Sequence, residues 1–514
     1  MTDRPPRSRR GRKVWLSVAA ALTVLAGLVA TVGPPAGAQV APSSAADDAY
    51  TFTSWDFGFG DPTDVFDGER RPVLRMDLDW WTVQGCRDCV LNWNKLDPAV
   101  DAAQDKGMRI LLILSYAPPW ANGGHENDKW FPTNDADWVA IVDATVRHFG
   151  AKVQAYEVWN EPNLAQFGNY GTGTDEERKA RYWQLVALAH GRVKAGCPQC
   201  VVLAGGSAAG SRPANQPETP GRNDNESARW LEWGYQHGHG GDFDAVAHHP
   251  YPAWNSGKGP ADAECDYYYW NQFGPPFYTD SKTGKTCGGE LAAVRKVMLE
   301  HQDGAKKIWG TEWGYPTSGV RNQPSIEVIR DYAVQGVHMW RALDYTGPLF
   351  LYRYRDLAVY EGQPCLATEP ECHFGVVKVD GTRKEPLYTD LKTKVYDTWP
   401  ASLSSGQSLR RLAALRSPDG RFYLWMQGDG NLVLYQAGKA TALWASNTTT
   451  GVSLANQTDG NLVISDAQGS PLVHSNTWTA HASTLRLQND GNLVLYRNSD
   501  GKPVWDRFTN LLPA

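Results

Sequence analysis

Two glutamates in this chain sit where they could act as a pair. Glu161 lies in Ala155–Asn163, AYEVWNEPN, and Glu312 in Ile308–Gly314, IWGTEWG, about 150 residues downstream. If the first stretch is a strand, its period of two puts Val153, Ala155, Glu157, Trp159 and Glu161 on one face, with Glu161 at the end. Pro162 cannot donate to a ladder and stops the strand there. Alone, this Glu-Pro reads as a surface carboxylate at a strand end. The second stretch repeats the logic: a strand closing on a carboxylate flanked by tryptophan. Two carboxylates facing across a pocket suit cleavage of a glycosidic bond, one protonating the leaving oxygen while the other attacks the anomeric carbon or activates water. Trp159, Trp313, Trp120 and Trp80 or Trp81 would supply flat walls for stacking. Other acids have plainer readings: Glu157 as a buried ion-pair partner, and Asp77 and Asp79 as structural hydrogen-bond acceptors. His248 reads as a packed core histidine.

The elements that must hold this pair read as alternating strands and helices. Strands are expected at Thr51–Phe57, Pro72–Leu78, Arg109–Ser115, Val153–Trp159, Val201–Ala204, Ala245–His248, Lys307–Thr311 and Leu349–Tyr354. Helical windows fall at Leu96–Lys106, Asp135–Phe149, Asp175–Ala195, Ser227–Gln236, Gly289–His301, Ser325–Ala342 and Pro386–Thr398. Eight such strands over residues 50–399 predict an α/β domain of the (β/α)8 TIM-barrel type, whose chemistry sits at the C-terminal mouths of the strands. On this count Glu161 closes the fourth strand and Glu312 the seventh, nearly opposite each other. A doubly wound open sheet is the alternative, weakened because no Gly-x-Gly-x-x-Gly follows the first strand. The insertion Pro252–Thr286, rich in Gly, Pro and Tyr, reads as a long loop over the barrel mouth.

Residues 1–38 read as a secretion signal peptide: a basic start from Arg4 to Lys13, an apolar run Val14–Val32, then Pro34-Pro35 and the small residues Ala36-Gly37-Ala38. An uncleaved anchor is the alternative, and Arg9-Arg10 leaves Sec and twin-arginine export both open. Residues 39–49 form a small polar linker. The whole chain has Lys+Arg 50 against Asp+Glu 56; without the leader the balance is 50 − 6 against 56 − 1, an acidic surface that argues against nucleic-acid binding. The 22 Trp and 22 Tyr serve cores and sugar faces alike. Eight cysteines fall into short-range pairs, Cys86/Cys89, Cys197/Cys200, Cys265/Cys287 and Cys365/Cys372, read as disulfides of an exported chain. A zinc site on Cys86, Cys89, Cys197 and Cys200 is the alternative. No cofactor is called for.

Beyond Pro400 the patterning changes and a repeat appears over residues 400–514. Gln427, Asp429, Asn431, Val433 and Tyr435 recur as Gln457, Asp459, Asn461, Val463 and Ser465, then as Gln488, Asp490, Asn492, Val494 and Tyr496. Each copy holds an Asp-Gly-Asn turn signal followed by an alternating strand. Three all-β units predict a module of three-fold pseudo-symmetry.

Tyr156-Glu-Val-Trp-Asn-Glu-Pro162 with Thr311-Glu-Trp-Gly314 resembles the glycoside hydrolases of clan A, and within it families 39 and 5. Arg75-Met-Asp77, Ser115-Tyr-Ala-Pro-Pro-Trp120 and His248-His-Pro-Tyr251 add to the match. The resemblance implies a retaining enzyme with Glu161 as acid/base and Glu312 as nucleophile. It further implies that Asn160 binds a sugar hydroxyl, that Arg75 and Tyr251 orient the nucleophile, and that His249 lines the subsite. Trp120 and Trp313 would contact substrate. The C-terminal repeat resembles the bulb-type mannose-binding lectins, a β-prism module that requires no metal. By that likeness the Gln, Asp, Asn, Val and Tyr positions of each copy bind sugar, the middle copy being weakened by Ser465. The expectation is a secreted retaining β-glycoside hydrolase acting on a poly- or oligosaccharide, with a lectin module for targeting. A non-catalytic carbohydrate-binding or adhesion protein on an inactive barrel is the rival, and a metal-dependent hydrolase a third.

Overall fold

The computed structural model describes residues 73–507, except 106, 209–226, 252–277, 280–285, 288–289, 321–322, 342, 344, 361, 395–398, 412, 420, 428–429 and 437–441. The expected leader, the linker, the strand Thr51–Phe57 and the pair Cys265/Cys287 lie outside that description in whole or part, as do Asp429 and almost all of the Pro252–Thr286 insertion.

Val/Ile/Leu-rich runs become the parallel strands β1 (Val73–Asp79), β2 (Arg109–Ser115), β3 (Ala155–Val158), β4 (Val201–Ala208) and β5 (Ala245–His249). A two-residue pair, β6 (Tyr278–Thr279) and β7 (Thr286–Cys287), precedes β8 (Ile308–Trp313) and β9 (Thr346–Leu351). The sheet runs β1-β2-β3-β4-β5-β8-β9. Helices alternate with these strands; Asp135–Phe149 starts under an Asn134 cap whose side chain accepts from the Ala136 and Asp137 amides and stops at Gly150, which has positive φ.

Each of the seven strands contributes to a single small cluster: Val73, Leu111, Ala155, Leu203, Ala245 with Ala247, Trp309 and Phe350. Seven strands can share one such cluster only if the sheet is rolled up, and β9 indeed returns to within 8 Å of β1. The opposite faces, with Ile110, Leu112 and Leu114 among them, pack under the helices. Two residues further along the strands, the inward period reaches Arg75, Glu157 and Thr311, so a polar layer sits directly above the apolar one.

The C-terminal part has no helix among its described residues. That part begins beyond residue 400, after the hairpin β10/β11 (Val359–Tyr360, Gln363–Pro364), the helical turn Pro370–His373 and the helix Leu387–Lys394, with three short strands: β12 (Ser402–Ser404), β13 (Ser408–Arg410) and β14 (Ala414–Arg416). Each of these edges the sheet of one repeat. β14 pairs with β15-β16-β17 (Phe422–Met426, Leu432–Gln436, Ala442–Ala445). β13 joins β18-β19-β20 (Ser453–Asn456, Leu462–Ser465, Pro471–His474), and β12 joins β21-β22-β23 (Ser483–Leu487, Leu493–Arg497, Pro503–Asp506). The Asp-Gly-Asn turns are superposable in their bonding: the amides of Gln427, Gln457 and Gln488 donate to the carbonyls of Asn431, Asn461 and Asn492 at 2.8, 2.8 and 2.9 Å. Glycine is needed there, because Gly430, Gly460 and Gly491 all have φ near +80 to +90°. Leu424, Leu434, Leu454, Ile464, Leu485 and Leu495 from all three sheets meet in one core.

Candidate functional site

The two glutamates meet. One side-chain oxygen of each, with a ring nitrogen of His249, lies within 4.8 Å of the others, and all three residues are buried. What brings them there differs in part from the sequence expectation. β3 ends at Val158, not at Trp159, and the chain then turns through positive φ at Trp159 (70°) and Glu161 (48°). Neither is a glycine, so this is a strained corner held by its surroundings. The Glu161 amide donates to the Gly206 carbonyl (2.9 Å), and the buried Arg178 guanidinium donates to the Pro162 carbonyl at 2.9 Å and to that of Gly168. Gly206 must be glycine: it has φ 62°, and a Cβ there would stand 2.2 Å from Oε1 of Glu157.

Glu312 is turned inward by an irregularity of β8 between Gly310 and Trp313. The same break sends Trp313 outward, into the helix layer, where its ring closes on Gly336 and meets Tyr315 edge-on. Trp159 is likewise packed among Tyr116, Phe131 and Trp138. Trp159, Trp313 and Trp80 are therefore core residues rather than open stacking walls, and of the expected aromatic walls Trp120 and Trp81 keep exposed surface. Both corrections have one cause. A period-two reading assumes regular strands, and both strands end irregularly where the site begins.

Arg75 organises the polar layer. Its Nε donates to Glu157 (2.8 Å), Nη1 to Glu312 (2.7 Å) and Nη2 to Asn160 (2.9 Å). Thr311 donates to Glu157 at 3.1 Å, so Glu157 is the buried ion-pair partner its depth implied. The Tyr251 hydroxyl donates to Glu312 at 3.1 Å. His249 Nδ1 stands 3.0 Å from Glu161 and 3.6 Å from Glu312. Burial pushes the His249 pKa well below its usual value, helped by the Arg75 charge, so its ring is neutral. His248 is buried beside Ser207, as a core residue should be.

Burial pushes Glu161 well above the ordinary carboxylate range, and the negative charge of Glu312 adds to it. Glu312 is also pushed up by burial, to about 7, although Arg75 pulls in the other direction. The cation only limits a rise that desolvation dominates. Of the two acids, Glu161 is pushed up further and holds its proton more tightly. A cation placed among Glu161, His249 and Glu312 would find the Arg75 guanidinium already paired to Glu312.

Two further acids stand at the mouth. Glu371 is buried in a short helical turn, Pro370–His373, pinned by the Cys365–Cys372 disulfide, and burial beside Glu312 pushes it up to about 8. Asp79, at the end of β1, is pushed up to about 7 by burial and by Asp77, and Lys129 lies 3.1 Å from the centre of the Tyr116 ring. The sequence pointed to Asp79 only as a structural hydrogen-bond acceptor, and Glu371 sits in an irregular loop that no pattern marks.

The three repeats differ at their outward faces. In the third, Gln488 donates to the Tyr496 hydroxyl at 2.7 Å, and Gln488, Asn492 and Tyr496 are half-buried, with Asp490 exposed. Arg507 takes the place of Ser446 and Ser475, so the Asn492 Oδ1, unlike that of Asn431 or Asn461, has no partner among the described residues. In the first, Gln427 donates to Tyr435 at 2.9 Å, but Gln427 is 7 % and Tyr435 6 % exposed. Tyr423 and Trp425 stand across the strand from Tyr435 and Val433, where the third repeat has Thr484 and Arg486. Those aromatic residues pack on Trp399 and belong to the same buried cluster as the layer of side chains outside the parallel sheet.

No protein-family model matches the sequence. A mannose-specific lectin of Aloe arborescens is 41 % identical over 92 residues, 17 % of this chain and 78 % of the lectin. The B-type lectin plumieribetin of Scorpaena plumieri is 34 % identical over 112 residues, 21 % of this chain and 95 % of its own length. Through its repeat module, the chain belongs to the bulb-type lectins. Both bulb-type relatives match a stretch of the module's size, and the remaining four-fifths of the chain lies outside them. A solved family 39 glycoside hydrolase from Bacteroides cellulosilyticus WH2 aligns over 82 % of this chain and 73 % of its own, at 17 % identity and a TM-score of 0.49. The joining of an α/β sheet with a buried carboxylate pair to a bulb-type lectin module is the organisation to be explained.

Proposed function

We propose that this chain is a carbohydrate-active enzyme, a retaining β-glycoside hydrolase of the (β/α)8 type over residues 50–399, carrying over residues 400–514 a β-prism lectin module that binds mannosides. The observation that carries the enzymatic reading is the buried pair Glu161 and Glu312, with oxygens within 4.8 Å and Arg75 and Tyr251 both bonded to only one of them. Retaining glycosidases hold their carboxyls about 5–5.5 Å apart, against about 6.5–9.5 Å for inverting ones, so the closeness supports double displacement. Glu161 gives its proton to the glycosidic oxygen as Glu312 attacks the anomeric carbon, breaking that C–O bond and forming a glycosyl ester. Glu161, now a carboxylate, takes a proton from water, whose oxygen displaces Glu312. Arg75 and Tyr251 hold Glu312 in place, and Asn160, itself bonded to Arg75, offers its amide to a sugar hydroxyl. The disulfides Cys86–Cys89, Cys197–Cys200 and Cys365–Cys372 support export to an oxidising compartment. The test is proton NMR of the first anomer released from a responsive glycan: release with the configuration of the starting linkage supports the reading, and inversion sinks it.

Activity needs Glu312 ionised and Glu161 protonated. With Glu312 pushed up to about 7 and Glu161 higher, kcat/KM should rise as pH passes through about 7 and fall again on the alkaline side. Glu161→Gln should lose the alkaline limb. An acidic limb at the ordinary value of 4.5 would contradict the burial.

For the lectin module, Asn492→Ala in the open third repeat should weaken binding of methyl α-D-mannoside about tenfold or more. Asn431→Ala, on the face packed against the barrel, should leave it unchanged. Equal losses would refute the closure of the first repeat.

A further inference from the structure

The second repeat, weakened on paper by Ser465, holds a cavity of about 300 Å³ bordered by Gln457, Asn461, Val463, Ser465, His474 and Trp478. In the first and third repeats a tyrosine ring fills this space, its hydroxyl tied to the glutamine amide. Ser465 cannot reach, and its cross-strand neighbours Ser453 and Pro471 are small, so the groove stands open. The Gln457 side chain has no hydrogen-bond partner among the described residues. Asn461 Oδ1 accepts from Ser475 Oγ and the Thr477 amide, both at 3.1 Å, which leaves its Nδ2 to donate elsewhere. On the rim stands Trp478, 51 % exposed, where the first repeat has Thr449. An indole left half in water beside two polar amides and an apolar floor is the surface a sugar chain can use: the amides meet hydroxyls, and the ring meets a C–H face.

We propose that the second repeat binds a sugar chain across two adjacent units, one seated over Val463 against Gln457 and Asn461, the next stacked on Trp478. This rests on the reading of the module as a mannoside-binding lectin. The loss of the tyrosine therefore changes the ligand from a single terminal sugar to an extended glycan. With the first repeat packed away and the third open, one module offers two sites of different reach.

The full-length chain carrying Asn492→Ala, which silences the third repeat, is titrated calorimetrically with methyl α-D-mannoside and with mannotriose. Mannotriose should bind about tenfold or more tightly than the monosaccharide. Adding Trp478→Ala should weaken mannotriose about tenfold, and Ser465→Tyr, which refills the groove, should remove the preference for it. Trp478→Ala alone should still bind methyl α-D-mannoside at the third repeat, which reports that the module is folded. Mannotriose binding unchanged by Trp478→Ala overturns the proposal, as does loss of all binding in Asn492→Ala. If the unaltered chain binds neither probe, the mannoside reading of the module fails and this proposal with it.

Discussion

Glu312→Ala should reduce hydrolysis of a responsive glycan by about 10⁴-fold or more, because the covalent step then has no attacking group. A merely structural role for Glu312 would give the same loss through misfolding, so the diagnostic is rescue. Azide is small enough to enter the space left by the carboxylate and can attack the anomeric carbon directly. With a substrate carrying a good leaving group, added azide should restore turnover in Glu312→Ala and yield a glycosyl azide of inverted configuration. The corresponding Glu161→Ala variant should give a glycosyl azide of retained configuration, since there azide intercepts the glycosyl ester on Glu312. The surroundings favour this division of labour: Arg75 and Tyr251 both donate to Glu312, whereas Glu161 faces the neutral ring of His249. Wild-type hydrolysis in Glu312→Ala would remove Glu312 as the nucleophile, whereas binding of glycans with no turnover by the unaltered chain would leave the non-catalytic carbohydrate binder.

The sequence and the structure agree most closely where one local rule decides. Asp135–Phe149 was legible to the residue, since Asn134 caps it and Gly150 ends it. Arg109–Ser115 was equally plain, an unbroken apolar run buried on both faces. The Asp-Gly-Asn repeats announced three equivalent turns, and three equivalent turns formed. The disagreements gather at the site. Glu161 and Glu312 do face each other, but through a positive-φ corner and a strand irregularity that no alternation pattern encodes. For the same reason Trp159 and Trp313 looked like walls and are packing. Glu371 reached the site through a disulfide-pinned turn far along the chain, a long-range placement with no periodic signature. In the lectin module the motif positions were legible while their fates were not: what closes the first repeat is Tyr423 and Trp425 on a neighbouring strand, and what opens the second is a single serine. These are departures of local geometry from the regular pattern, found here where substrates would bind.

Loss of Arg75 should strongly destabilise the domain built on the parallel sheet. It is the cation bonded to Glu157 and Glu312 at once, with both carboxylates buried. Arg75→Met keeps much of the aliphatic volume and leaves two buried acids without that partner, a defect of about 3–5 kcal/mol. At about 2–4 °C per kcal/mol for a domain of this size, the melting temperature should fall by about 10 °C. The deficit should grow with pH. Without that cation Glu312, already pushed up by burial, holds its proton more tightly in the folded state than in the unfolded chain, so its contribution to stability is present at low pH and lost as pH rises through its folded value. Calorimetric unfolding at pH 5 and pH 8 should therefore show the larger penalty at pH 8. Glu157→Gln added to Arg75→Met should recover part of the loss, since one of the two stranded charges is gone. In whatever fraction stays folded, the acidic limb of kcat/KM should move to higher pH, because Arg75 is what restrains the rise in Glu312. A variant with unchanged melting and an unmoved limb would mean that the guanidinium contributes neither charge balance nor orientation, and the proposed roles of Arg75 would both be wrong.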